Sequence, residues 1–160
     1  MNIIPVIIYT LSFLSINGNT INMNDYKGKK ILLVNIATDS KYVQQLASLE
    51  QLYEKYQDSL VVIAFPSNSF GAESRSDKAI KTFCEDNYHA NFILAAKTEV
   101  VGENANDIYK WLSSADQNGV VDNKMVADFE KILIDKDGMI AGVFAPTVDP
   151  MSDEIQDVIK

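Results

Sequence analysis

The chain has 160 residues, 47% hydrophobic and 22% charged, which suits one soluble globular domain with a proper core. Its 22 acidic residues outnumber 14 Lys and Arg, a formal charge of -8, which argues against a nucleic-acid or anionic-membrane surface. A single cysteine, Cys84, rules out an internal disulfide and a cysteine-ligated zinc site, and the single His89 speaks against a histidine-based metal site.

The N-terminal stretch MNIIPVIIYTLSFLSI has an apolar run but no basic n-region, since its first basic residue is Lys27. It reads as a strand followed by the turn Asn17-Gly18-Asn19. No apolar run anywhere is long enough to span a bilayer, and no Asn-x-Ser/Thr acceptor occurs.

Residues 31–37 (ILLVNIA) are a continuous apolar run, as expected of a central strand covered on both faces. Val43, Leu46, Leu49, Leu52, Tyr53 and Tyr56 follow at helical spacing, and the helix is expected to begin near Lys41 with Ser40 or Asp39 as its cap. LVVIAF (60–65) is a second buried strand, ended by Pro66. Ser76 caps a helix that turns Ile80, Phe83 and Cys84 inward, and Asn106 caps another carrying Ile108, Trp111 and Leu112. FEKILI and MIAGVF (129–134 and 139–144) flank Asp135-Lys136-Asp137-Gly138, a hairpin turn. That turn is no calcium loop, because Gly138 falls at loop position 4 and Pro146 at position 12. A last helix begins near Ser152. The expected order is a β-hairpin, β, α, β, α, α, β, β, α, in a single domain over 1–160. This is an α/β chain whose layout resembles the thioredoxin-like fold: a central mixed sheet flanked by helices, with an N-terminal β-hairpin.

Seven segments, DYKGKKILLVNIAT, LEQLYEKY, FPSNSFG, FCEDNY, VGENANDIYKWL, ILIDKDG and FAPT, occur in this order with matching spacing. Together they resemble the glutathione peroxidase family of thiol or selenol peroxidases, from about Ile8 to the C-terminus. The resemblance implies a catalytic tetrad, and it places that tetrad on Ser40, Ser69, Ala127 and Asp128. Ser40 stands where the family has its peroxidatic Cys or selenocysteine, and Lys41 where it has Gly. Ser69 stands for a catalytic Gln, with Ser67 at a less critical Cys, and Ala127 and Asp128 stand for Trp and Asn. All four catalytic positions are substituted. Cys84 falls on the position of the resolving cysteine in thioredoxin-dependent members, without a partner at Ser40.

A peroxidatic sulfur acts as a thiolate that is oxidised to sulfenic acid and recycled; a serine hydroxyl has no such redox ladder. It is also a weak nucleophile without a positioned base. The expected function is therefore a glutathione peroxidase family chain that lacks normal peroxidase activity and serves as a binding or regulatory module for an unknown protein or small molecule. The alternative is a working or residual thiol-dependent peroxidase, reducing hydroperoxides with glutathione or thioredoxin. A Ser40 hydrolase would need a base that the pattern does not supply. Read as residues alone, Ser40 is a helix cap and Ser67 and Ser69 are turn residues. Asp128 is a solvated edge residue, His89 a surface or boundary residue, and Cys84 a core thiol with a reactive thiol as the alternative. No cofactor, metal or nucleic acid is expected. Short family members tend to be monomers, and the compartment expected is the cytoplasm, with periplasm or secretion open if a leader preceded Met1.

Overall fold

A computed structural model describes residues 4–160; the first three residues of the N-terminal apolar stretch lie outside them. Five strands form the central sheet: β3 (Lys30–Ile36), β4 (Leu60–Pro66), β5 (Ile93–Leu94), β6 (Lys131–Ile134) and β7 (Ile140–Phe144), in the order β5-β4-β3-β6-β7. β3 and β4 are parallel, joined across helix α1 (Gln45–Tyr56), whereas β6 runs antiparallel to β3 and forms a hairpin with β7. The sheet is thus mixed. A separate hairpin, β1 (Ser12–Leu14) with β2 (Thr20–Asn22), precedes it. The expected N-terminal strand is shorter than the apolar stretch suggests, because Ile8–Thr10 close a 3-10 turn before β1 begins.

Alternating residues of the buried strands feed two cores. On one face Leu32, Val34, Val62, Ala64 and Leu133 pack under α1, α2 (Asp77–Tyr88) and α5 (Asp153–Ile159). On the other, Ile31, Leu33, Ile63, Phe65 and Ile132 meet Ile108, Tyr109 and Trp111 of α3 (Asp107–Ser113). A one-turn helix, α4 (Ala115–Asn118), follows α3. Strands covered on both sides can afford a nearly unbroken apolar run, which is why periodicity located β3 and β4 at once. Two caps stand where the sequence places them: Ser76 Oγ accepts from Ala79 N–H and Asn106 Oδ1 from Tyr109 N–H. The Asp135–Gly138 turn is also present, with Gly138 at φ 82 and Asp135 Oδ1 accepting from Asp137 N and Met139 N.

Two buried polar groups tie helices to the sheet. Glu50 of α1 accepts from Asn91 N (2.6 Å), Asn91 Nδ2 (3.0 Å) and Phe92 N (3.3 Å), and so holds the segment that becomes β5. Lys131 of β6 is fully buried and, among the described residues, forms no ion pair. Its Nζ donates to Gln45 Oε1 (2.8 Å) and Pro146 O (3.1 Å), and Gln45 Nε2 donates to the same carbonyl (2.6 Å). Burial pulls the Lys131 ammonium down to about 8, against weaker support from Asp149 and Glu130.

Glu50→Ala is expected to lower stability by about 3 kcal/mol in urea unfolding, since three donors would lose a buried charged acceptor. An unchanged midpoint would show that β5 docks without it.

Candidate functional site

Because β6 runs antiparallel to β3, the loop leading into β6 arrives at the end of the sheet where β3 and β4 finish. Three loops therefore meet there: 37–44 after β3, 67–76 after β4 and 119–130 before β6. Ser67 N donates to Ile36 O and Asp39 N to Ala72 O, which joins the first two. Asn35 joins the third, its Nδ2 donating to Ala127 O (2.8 Å) and its carbonyl accepting from Phe129 N (2.6 Å). The topology thus collects Ser40, Ser69, Ala127 and Asp128 at one end of the sheet. Among the described residues, no hydrogen bond links Ser40 to Ser69 or Asp128.

Ser40 is 9% exposed and does not cap α1. That helix begins at Gln45, with Gln44 at its cap position and no side-chain cap bond. Ser40 instead closes a turn of its own: its Oγ accepts from Tyr42 N (3.1 Å) and its N–H donates to Ala37 O. The neighbouring Asp39 amide is engaged by Ala72 O, and a run of tight turns, Val43 N to Ser40 O, Gln45 N to Tyr42 O and Leu46 N to Val43 O, leads from Ser40 into α1.

Ser67 and Ser69 form a closed relay. Ser67 Oγ donates to Ser69 Oγ (2.9 Å), which donates to Glu99 Oε2 (2.7 Å) and accepts from Val100 N (3.0 Å). The hydroxyl at position 69 is occupied within the protein and has no spare proton to offer a reacting oxygen.

Thr38, two residues before Ser40, holds a buried carboxylate that sequence reading missed. Glu73 accepts from Thr38 N (3.0 Å), Thr38 Oγ1 (2.7 Å) and Arg75 N (3.3 Å). Arg75 Nη1 donates to Thr38 Oγ1 (2.6 Å) and Asp39 Oδ1 (3.0 Å), while its guanidinium stacks 4.8 Å from the Phe83 ring. Nothing in GAESRSD distinguishes Glu73 from a loop residue, whereas Asn35, a lone amide inside ILLVNIA, was a readable signal.

Asp128 is not the solvated edge residue expected from its place before a strand. It is only 8% exposed, its Oδ1 has no partner, and burial, then the Glu73 charge, pushes its carboxyl up to about 6. The cause is the clamp on its loop. Asn35 grips residues 127 and 129 from one side, and Glu130 Oε2 accepts from Val126 N (2.8 Å) and Ala127 N (3.4 Å) from the other. Phe129 pays for this with a left-handed backbone, φ 64. Cys84 sits apart on the inner face of α2, fully buried among core residues, and burial, then Glu73 and Glu85, pushes its thiol up to about 12. His89 is exposed and ends α2 in left-handed geometry.

A family model described as glutathione peroxidase matches residues 8–113. The chain belongs to the glutathione peroxidase family. It is 35% identical over 154 residues to a glutathione peroxidase of Lactococcus lactis subsp. cremoris, covering 95% of this chain and 96% of that one. A crystal structure of Trgpx in apo form superposes with TM-score 0.72 at 30% identity, covering 96% of this chain and 93% of the other. A thioredoxin family protein from Chlorobium tepidum, a thiol:disulfide interchange protein, superposes with TM-score 0.68 at 13% identity, covering 100% of both chains. That last likeness shows the thioredoxin-like fold alone. Among the described residues of this glutathione peroxidase family chain, no helix is long and apolar enough to cross a membrane and no group of three or more His, Cys, Asp or Glu could hold a metal ion.

Two outcomes test this geometry. A thiol reagent is expected to leave Cys84 unmodified in the native protein and to label it fully once the chain is denatured; rapid native labelling would place the sulfur at the surface. For Asp128, the folded state binds the proton more tightly than the unfolded chain, so its penalty is absent below about pH 4 and complete above about pH 6. Asp128→Asn is therefore expected to stabilise the fold by up to about 3 kcal/mol at pH 8 and by little at pH 4, read from urea midpoints.

Proposed function

We propose that this chain keeps the glutathione peroxidase scaffold without its thiol peroxidase chemistry, and works as a binding or regulatory module. One observation carries the reading: a serine oxygen, Ser40, stands where the family resemblance requires sulfur or selenium. Peroxide reduction needs a nucleophile that takes one peroxide oxygen, releases water or an alcohol, and returns to its starting state at the expense of a thiol. Cysteine does so through sulfenic acid. A serine oxygen has no comparable oxidation product to recycle.

The surroundings support the same conclusion. Among the described residues Ser40 Oγ is hydrogen-bonded to the Tyr42 amide and to no base, Ser69 is tied to Glu99, and position 127 offers a methyl where an indole donor is implied. Asp128 brings a carboxylate where an amide is implied, which disfavours any anion at Ser40. Cys84 is too deeply buried, and its thiol too weakly acidic, to substitute as the reacting sulfur.

The competing reading is residual peroxidase activity with glutathione or thioredoxin as reductant, and it draws on the peroxidase name of the Lactococcus relative. Peroxide consumption decides between them. The native chain is expected to consume hydrogen peroxide no faster than background with either reductant, and turnover that depends on the native protein overturns the proposal. A variant carrying Ser40→Cys, Ser69→Gln, Ala127→Trp and Asp128→Asn is expected to gain at least about tenfold over background. A folded but inactive variant would overturn the assignment of these four positions.

A further inference from the structure

The N-terminal hairpin joins the chain leaving β5 and then parts from it. Ala96 N donates to Leu14 O and Ile16 N to Leu94 O, so the end of β1 runs antiparallel to residues 94–96. Two residues further along, Thr98 N donates to Pro66 O instead of to β1. In a strand the N–H and C=O of one residue face the same side, and alternate residues share that side. Ser12 therefore turns its main-chain groups the way Leu14 does, but no strand meets them. A cleft of about 350 Å³ opens where the two segments part.

Its lining is mostly apolar. Phe13 and Phe65 pack with ring centroids 5.2 Å apart and close the floor, and the exposed Leu14 side chain forms the lip. The polar groups of the rim are committed within the protein, except for one charge. Lys97 Nζ donates to Arg75 O (2.8 Å) and its amide to Asp77 Oδ1 (2.7 Å). Asn106 Oδ1 caps Tyr109 N–H, its Nδ2 donates to Thr98 Oγ1 (3.4 Å), and that hydroxyl donates to Glu99 O (3.3 Å). Ser12 and Thr20 add neutral hydroxyls. Asp107 is exposed, and among the described residues its carboxylate has neither an ion pair nor a hydrogen bond.

We propose that this cleft binds a small aromatic amine, with its ring on Phe13 and Leu14 and its ammonium at Asp107. A cavity of this size and apolar lining suits one small molecule whose orientation is fixed by a few polar groups. A ring on Phe13 gains the edge-to-face contact that an alkyl chain lacks. The unpaired carboxylate selects a cation, and the formal charge of -8 works against an anion in the same place. An ammonium also carries donors to spare for the open main-chain carbonyl of Ser12. A peptide strand fits less well, since the gap leaves the main chain of a single residue open for pairing. Ser40, Ser69, Ala127 and Asp128 do not line the cleft, so the proposal does not depend on the loss of peroxidase chemistry.

The test is a titration of the native protein with phenethylamine, followed by backbone amide NMR shifts. Saturable shifts are expected at Phe13, Leu14, Lys97, Thr98 and Asp107. Phenylacetate, which carries the ring with the opposite charge, and methylammonium, which carries the charge without a ring, are expected to give none at equal ionic strength. Asp107→Asn removes the charge, keeps the shape and is expected to weaken phenethylamine at least about tenfold. Shifts that do not saturate, shifts confined to other parts of the chain, equal binding of phenylacetate or methylammonium, or full binding by Asp107→Asn overturn the proposal. The comparison of the three compounds on the native chain holds whether or not the variant folds. Loss of peroxidase chemistry is decided separately, by peroxide consumption.

Discussion

The clamp that Asn35 places on residues 127–129 sets the geometry of the whole end of the sheet. β3 is buried on both faces, so an amide inside it needs partners, and it finds them in a loop far along the chain. By holding that loop against the strand, Asn35 draws Asp128 out of water and fixes Phe129 in a left-handed backbone. The antiparallel entry of β6 delivers the loop to this end. Without that reversal of direction, positions 127 and 128 would sit at the opposite end from Ser40 and Ser69.

What the loops present there is mostly oxygen, and much of it is engaged within the protein. Ser40 engages the amide two residues on, Ser67 and Ser69 pass a chain of hydrogen bonds to Glu99, and Thr38 bridges Glu73 and Arg75. Satisfied polar networks stiffen a site and specify its shape. They also leave few groups free to follow a changing charge during reaction. The scaffold of the glutathione peroxidase family is intact, while the side chains its loops bring together are mostly hydrogen-bonded oxygens.

Much of the fold was legible because the signals were local. The unbroken apolar runs gave β3 and β4, and Ser76 and Asn106 announced their helices through capping that depends on three or four residues. Legibility failed where a distant contact decides the outcome. β5 has only two residues and is held by Glu50, so no periodicity could reveal it. Ser40 looks like a cap, yet Asp39 bonds to Ala72 and the helix starts later. Asp128 looks solvated until Asn35 is seen to pull its loop inward. Within the candidate site, motif order supplied the four positions, while Glu73 and Arg75 emerged only from the geometry.

Lys131 has a consequence for how the protein answers alkali. A buried ammonium on β6, pulled down to about 8, titrates well before an ordinary lysine. The unfolded chain keeps that proton to a higher pH, so between about pH 8 and pH 10 this one group makes folding more favourable as base is added. Its lost proton leaves Gln45 and the Pro146 carbonyl bound to a neutral amine, and lowers the net charge of the molecule from the inside. Above about pH 8 the charge of this acidic chain thus carries a contribution from its interior, hidden from any count of surface charges.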